Sequence, residues 1–122
     1  MTGITFMHEH LRIDLSQGKG DVDCLLDEYD LLLSEFKDLK AKGLARMVDV
    51  SCRGLGRDYA WLDRVEAETG LQILISTGFY KEPFLPEMAH EKSVKEIAQL
   101  FMDDIEKGCE QSDRKAKLIA EI

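Results

Sequence analysis

Two histidines at the end of the first apolar segment are the residues best suited to chemistry in this sequence. Residues 6–10 read FMHEH, so one residue separates His8 from His10. In a β-strand every second side chain lies on the same face, which predicts that Ile4, Phe6, His8 and His10 share one face. Two imidazoles at the carboxyl end of a strand can bind one transition metal, such as zinc, manganese, iron or cobalt. The alternative is that both are solvated histidines after a short strand.

A carboxylate at the other end of the chain is the second candidate ligand. Glu121 lies inside the otherwise apolar segment LIAEI at residues 118–122. A buried carboxylate is costly unless it is paired or binds a metal. The alternative is that Glu121 is exposed because the chain ends beside it. If it is buried, two histidines and a carboxylate from separate strands form a credible metal-binding set.

Composition limits the class of protein. The chain has 122 residues, 44% of them hydrophobic and 33% charged, with a net charge of −8. This acidic balance argues against a surface for nucleic acid or anionic membranes. Apolar runs fall short of the roughly 20 residues that span a bilayer, and the N-terminus lacks a signal-peptide pattern. The three cysteines are widely spaced and odd in number, which indicates reduced thiols and a cytoplasmic location.

Predicted strands and helices alternate along the chain. Short apolar runs predict strands, and apolar residues three and four apart predict amphipathic helices. We predict strands at residues 3–7, 45–50, 71–76 and 116–122, helices at about residues 24–42, 58–70 and 94–107, and loops at residues 11–23 and 78–92. The expected helix N-caps are Asp23, Asp58 and Ser93, and the expected stop signals are Gly43, Gly70 and Gly108.

The order β-α-β-α-β-α-β predicts a parallel sheet with right-handed connections. One architecture that fits is a small, complete doubly wound sheet. The other is the first half of a (β/α)8 TIM barrel, which typically needs about 250 residues. We favour the half-barrel, because the helices recur at barrel-like intervals and no helix follows the fourth strand. In either case His8, His10 and Glu121 lie at the carboxyl ends of strands, where active groups collect.

The sequence resembles the phosphotriesterase-related branch of the amidohydrolase superfamily, and within it the bacterial phosphotriesterase homology proteins. The matching segments are TFMHEHL at residues 5–11, GRD at 56–58, STGFY at 76–80, the third helix at 93–108 and IAEI at 119–122. They cover essentially the whole chain in the expected order. The resemblance implies that residues 1–122 are a single domain, the truncated N-terminal half of a metallohydrolase barrel.

The resemblance also implies a binuclear centre, with two zinc ions or with manganese, cobalt or iron. His8 and His10 would bind the more buried metal, and Glu121 would bridge both metals and take part in catalysis. A water shared by the two cations would attack a small ester, lactone or phosphoester. Tyr80 matches a family tyrosine that can hydrogen-bond the substrate, although a loop aromatic packed on the barrel rim is the alternative. The remaining ligands, two histidines and an aspartate from later strands, have no counterpart here.

Other interpretations stay open at this point. The chain could be a non-catalytic fragment or adaptor, or a small parallel-sheet binding module. We expect a homo-oligomer or a missing C-terminal half, because a half-barrel leaves two sheet edges unpaired. Among lesser candidates, His90 reads as a solvated residue and Cys52 as a core thiol. Arg53 and Arg57 could meet an anionic substrate, but ion pairing with Asp58 or Asp63 is the simpler expectation.

Overall fold

The computed structural model describes residues 3–121 as a curled parallel sheet covered by helices on one side. The strands are β1 (Ile4–Glu9), β2 (Ile13–Asp14), β3 (Leu25–Leu26), β4 (Leu44–Asp49), β5 (Gln72–Thr77) and β6 (Leu118–Ile119). Four parallel strands form the sheet in the order β1-β4-β5-β6. The helices are α1 (Ser16–Lys19), α2 (Tyr29–Ala41), α3 (Tyr59–Thr69), α4 (Met88–Glu91) and α5 (Val94–Glu106). The predicted parallel α/β sheet is confirmed.

The hydrophobic core lies between the sheet and the long helices. Met47, Ile73 and Ile75 from the central strands pack against the buried faces of α2 and α3. The predicted buried face of α3 is confirmed, since Trp61, Leu62 and Val65 are each at most 2% exposed. Within residues 3–121, no helix is long and apolar enough to cross a membrane.

The beginning of the first long helix was predicted wrongly. Helix α2 begins at Tyr29 rather than near residue 24, and Asp23 is not its N-cap. Leu25 and Leu26 instead pair with Ile13–Asp14 in a two-stranded antiparallel ribbon. The two leucines match the spacing of the helical stripe. Their backbone groups instead form strand hydrogen bonds with a segment earlier in the chain.

The two predicted loops contain short elements. The first holds β2, α1 and a 3-10 turn at Val22–Cys24, which Asp21 caps. The second holds α4. The fourth strand is shorter than predicted, since β6 covers only Leu118–Ile119, and Ile122 lies outside the described residues.

The expected alternation along β1 is also incorrect. The β1–β4 pairing shifts register between Phe6 and Glu9, where an irregularity interrupts the ladder. Phe6 therefore packs against the helix-side core, whereas His8 approaches Glu121. A β-bulge redirects side chains in this way, and a strict period of two cannot anticipate it.

Most of the predicted capping residues are confirmed. The Asp58 side chain accepts a hydrogen bond from the Trp61 backbone N–H, and Gly70 ends α3 in the left-handed conformation. Ser93 and Glu96 form the predicted capping box at the start of α5. These signals depend on neighbours only three residues away, which is why the sequence shows them.

Gly78 allows the end of β5 to approach the segment that carries Glu121. Its φ is +143°, and a Cβ atom there would lie 2.6 Å from the Ala120 carbonyl oxygen.

We predict that Gly78→Ala lowers the free energy of unfolding by about 3 kcal/mol or more, because steric overlap adds to backbone strain. Urea unfolding measures the effect. Gly20→Ala is the control, since Gly20 has φ +65° with no atom near the added methyl group, and should cost about 1 kcal/mol. Equal costs for the two variants would contradict the prediction.

Asp58 links the start of α3 to α2. Its carboxylate accepts hydrogen bonds from the Tyr29 hydroxyl at 2.6 Å and the Trp61 N–H at 3.0 Å. Burial opposes ionisation, but these hydrogen bonds outweigh it and lower the pKa of Asp58. A lowered pKa in the folded state means that the ionised carboxylate stabilises the fold above about pH 4, and that this contribution is lost as the pH falls through the folded-state pKa.

We therefore predict that Asp58→Ala costs about 1–2 kcal/mol at pH 7 and less at pH 3. Urea unfolding at both pH values checks this. Asp58→Asn retains a capping oxygen and does not titrate, so its advantage over the alanine variant should be the same at both pH values. An alanine deficit that does not change with pH would show that the charge of Asp58 plays no part.

Candidate metal centre

Residues on both sides of His10 are fixed by hydrogen bonds. The Val50 N–H donates to the Glu9 carbonyl oxygen at 3.0 Å, which extends the β1–β4 ladder. On the other side, the Trp61 indole N–H donates to the carbonyl oxygen of the fully buried Leu11 at 2.9 Å. The backbone that carries His10 is thereby held against both β4 and α3.

The backbone next to Glu121 is held at the other edge of the sheet. The Ala120 N–H donates to the Thr77 carbonyl oxygen at 2.8 Å, which extends the β5–β6 ladder past the end of β6. The Glu121 side chain is only 18% exposed. The expectation that Glu121 is exposed because the chain ends beside it therefore does not describe the structure.

The two histidines and Glu121 converge on one point. His8 Nε2 lies 2.6 Å from Glu121 Oε1, and His10 Nε2 lies 3.8 Å from the same oxygen. One donor atom of each residue lies within 4.8 Å of the other two. His8 is 66% exposed and His10 only 26%, so the cluster opens to solvent on the His8 side.

The curvature of the sheet makes this convergence geometrically possible. β1 and β6 are the two edge strands, and neighbouring strands lie about 4.8 Å apart, so a flat sheet would separate them by about 14 Å. The side chains of His8 and Glu121 could not meet across that distance from the face of a flat sheet. The sheet therefore bends around the cluster.

His10 occupies the more buried and more polar position of the pair. Burial is the largest influence and lowers the pKa of His10, while the nearby carboxylates of Asp49 and Glu121 oppose it. The neutral imidazole is thus favoured, which is the form that binds metals. Its Nδ1 lies 2.8 Å from the Ser51 hydroxyl oxygen, so Nε2 is the nitrogen that faces Glu121.

A buried ion pair lies directly behind Ser51. Asp49 is fully buried and accepts hydrogen bonds from the Ser51 N–H at 3.0 Å and from Arg57 Nε at 3.1 Å. Arg57 also donates to the carbonyl oxygen of Ser76 at 2.9 Å and to its hydroxyl at 3.2 Å. Burial is the largest influence and would lower the pKa of Arg57, but the interactions with Asp49, Tyr59 and Cys109 together outweigh it and raise that pKa.

The expected partners of the two arginines were therefore wrong. Arg57 pairs with Asp49, and Arg53 pairs through Nη2 with both carboxylate oxygens of Asp104 at 2.9 and 3.2 Å. Asp58 caps α3 instead, and Asp63 pairs with Arg114. Both observed partners are buried carboxylates. Each lies on a different structural element from its arginine, so the residues next to the arginine do not indicate the pairing.

The remaining predicted candidates lie apart from this cluster or play a packing role. Tyr80 stacks on Phe84 with ring centroids 5.6 Å apart, the contact expected of a rim aromatic, and its role toward a substrate stays a prediction. His90 is exposed and its Nε2 lies 3.1 Å from Glu82. Cys52 is 1% exposed, and burial raises the pKa of its thiol, which suits a core residue.

Ser51 and Asp49 are the residues near the site that the sequence did not reveal, and the pairing of Arg57 with Asp49 was not predicted. One signal was present, since Asp49 interrupts the apolar run of β4, just as Glu121 interrupts the last apolar segment. A lone carboxylate in a buried strand indicates a partner. It does not indicate which arginine that partner is.

The donor set suits a divalent transition metal. Two imidazole nitrogens and a carboxylate oxygen are typical ligands of zinc, and ligand bonds of about 2.1 Å place tetrahedral donors about 3.4 Å apart. The 3.8 Å between His10 Nε2 and Glu121 Oε1 is close to that value. The 2.6 Å between His8 and Glu121 is a hydrogen-bond length and would have to open by less than about 1 Å.

Comparisons with known proteins agree with this fold. The sequence model of the phosphotriesterase family matches residues 1–122. The phosphotriesterase homology protein of Escherichia coli is 41% identical over 121 residues, which are 99% of this chain and 41% of that protein. The aryldialkylphosphatase of Saccharolobus solfataricus is 32% identical over 120 residues, which are 96% of this chain and 38% of that protein.

A solved structure gives the same result. The crystal structure of the Escherichia coli phosphotriesterase homology protein, complexed with phosphate in its active site, superposes with a TM-score of 0.93 over 99% of this chain and 42% of that one. The protein is thus a half-barrel of the TIM-barrel class. It belongs to the phosphotriesterase family, and the chain spans about two fifths of the length of the two relatives described above.

Proposed function

We propose that this chain supplies the first part of the metal site of a metal-dependent hydrolase. The observation that carries the proposal is the convergence of His8, His10 and Glu121 from the two edge strands of the sheet. Membership of the phosphotriesterase family supports it, because one of the relatives is named as a phosphatase.

The residues of the cluster take distinct roles in this proposal. His10, buried and favoured in its neutral form, binds through Nε2, which already faces Glu121. His8 binds from the solvent side. Glu121 offers two carboxylate oxygens with which it would hold two cations, and we propose that these are zinc. Ions held there would supply Lewis acidity toward water and toward the oxygen of a scissile ester, lactone or phosphoester group.

The proposed substrates are small esters, lactones or phosphoesters. An aryldialkylphosphatase is among the relatives, and the Escherichia coli relative has phosphate in its active site. Tyr80 is the residue of this chain that we propose for contact with the substrate, since it follows β5 at the same end of the sheet as the cluster. We place the protein in the cytoplasm, which the free thiols of its three cysteines support.

A direct test of the site is metal binding by the 122-residue chain. We predict that the chain, freed of metal with a chelator, binds Co²⁺ or Zn²⁺, and that His10→Ala or Glu121→Gln weakens the affinity. The loss should exceed the roughly 10–100-fold that removal of an outer hydrogen-bond partner costs, because a ligand itself is lost. Isothermal titration measures both affinity and stoichiometry.

His90→Ala is the matched control for that titration. His90 is exposed and pairs with Glu82, so its removal should leave the affinity unchanged. Failure of the wild-type chain to bind at saturating zinc would contradict the proposal and favour a non-catalytic fragment. A stoichiometry of two metals per chain, or per assembled pair of chains, would support the binuclear form.

The two edge strands require a partner in this proposal. β1 and β6 are open edges among the described strands, and Ile4, Met7 and Ile119 on them are 53%, 65% and 48% exposed. Exposed apolar residues on unpaired strands favour association. We propose that the rest of a longer chain or a second copy of this chain covers these edges.

For the isolated 122-residue chain we predict a dimer or larger assembly in size-exclusion chromatography with light scattering. Ile4→Lys combined with Ile119→Lys should shift the chain toward monomer, because it places charge on both edges. Leu31→Lys is the control, since Leu31 is 58% exposed on α2, away from the edges. A wild-type chain that is monodisperse, monomeric and cooperative in thermal unfolding would contradict the edge-pairing proposal.

A further inference from the structure

We propose that Ser51 is a positioning residue for the metal ligand His10, and that the buried Asp49–Arg57 pair holds Ser51 in place. The proposal rests on the proposed function, since it assumes that His10 binds a metal. It adds a role for three residues that do not themselves reach the ion.

The Ser51 contact with His10 is direct and shielded from water. Ser51 is fully buried, and its hydroxyl oxygen lies 2.8 Å from His10 Nδ1. The other ring nitrogen, Nε2, faces Glu121. When Nδ1–H donates to the Ser51 oxygen, the lone pair of the imidazole is on Nε2, on the side of the cluster. Ser51 thereby holds the orientation of the ring, and as the acceptor of that bond it leaves Nε2 free to bind the ion.

The position of Ser51 is in turn fixed by Asp49. The Ser51 N–H donates to Asp49 Oδ1, and Arg57 Nε donates to Oδ2 of the same carboxylate. The Arg57 side chain is 4% exposed and that of Asp49 is fully buried, so solvent does not compete for these bonds. Arg57 also donates to the Ser76 carbonyl oxygen and hydroxyl at the end of β5.

These contacts form a continuous path from the ends of β4 and β5 to the imidazole. Ser51 uses its backbone N–H toward Asp49 and its hydroxyl toward His10, and Asp49 uses one carboxylate oxygen for Ser51 and the other for Arg57. A histidine held in this way loses little orientational freedom when it binds an ion, which raises affinity.

The experiment compares Co²⁺ affinity, followed by the visible absorption of the bound ion, in the 122-residue chain and its Ser51 variants. Ser51→Ala should weaken binding by about 10–100-fold. Ser51→Thr and Ser51→Val add similar bulk to the buried site and differ by the hydroxyl group, so threonine should bind at least about 10-fold more tightly than valine. Ser34→Ala, an exposed substitution on α2, is the control and should bind like the wild type.

A double-mutant cycle tests whether Ser51 acts through His10. In a His10→Ala background, Ser51→Ala should cause no further loss of affinity, because the group that it positions is gone. In a His8→Ala background it should still cost about 10-fold. Thermal unfolding with a chelator present checks that each variant is folded. If the alanine variant is unfolded, the comparison of the threonine and valine variants tests the proposal instead.

Three outcomes separate this proposal from the one on which it rests. Wild-type affinity in both the alanine and the valine variants overturns the role of Ser51 and leaves the metal site intact. An equal loss in the His10→Ala and wild-type backgrounds overturns the route through His10 and indicates general loosening of the fold. A wild-type chain that binds no Co²⁺ overturns the metal site itself.

Discussion

The contact between His8 and Glu121 depends on the curvature of the sheet more than on any local feature. The two residues belong to opposite edges of a four-stranded sheet, and their side-chain atoms still approach to 2.6 Å. Gly78 leaves room for the Ala120 carbonyl group, so the segment that carries Glu121 lies close to the end of β5. A substitution elsewhere that flattens the sheet would therefore separate the proposed ligands, even though the ligand residues themselves are unchanged.

The buried polar groups near the cluster are connected by hydrogen bonds at the carboxyl ends of the strands. Asp49, Ser51, Ser76, Thr77 and Asp104 are all buried, and each of them has a hydrogen-bond partner. Buried polar groups are tolerated when they are satisfied, and removal of one partner of a buried ion pair costs about 3–5 kcal/mol. Arg57 thus joins its loop to β4 and β5, and Arg53 joins its loop to α5, at the end of the sheet where the cluster lies, which favours a preorganised site.

Much of the fold could be predicted from the sequence because its signals are local. The caps at Asp58 and Ser93 and the apolar face of α3 were predicted correctly, since each depends on residues within one or two turns. The predictions that failed involve distant partners. Leu25 and Leu26 follow the helical pattern, yet pairing with Ile13–Asp14 makes them a strand. The irregularity in β1 separates Phe6 from the histidines, although simple alternation places them together.

The sequence by itself determined the alternation of strands and helices and the types of side chain available as ligands, because periodicity and residue chemistry are properties of short segments. Only the tertiary structure decided that Glu121 lies against His8, that Ser51 contacts His10, and which carboxylate each arginine meets. These contacts join residues 8 to 113 positions apart. They arise from the curvature and register of the whole sheet, to which every strand contributes.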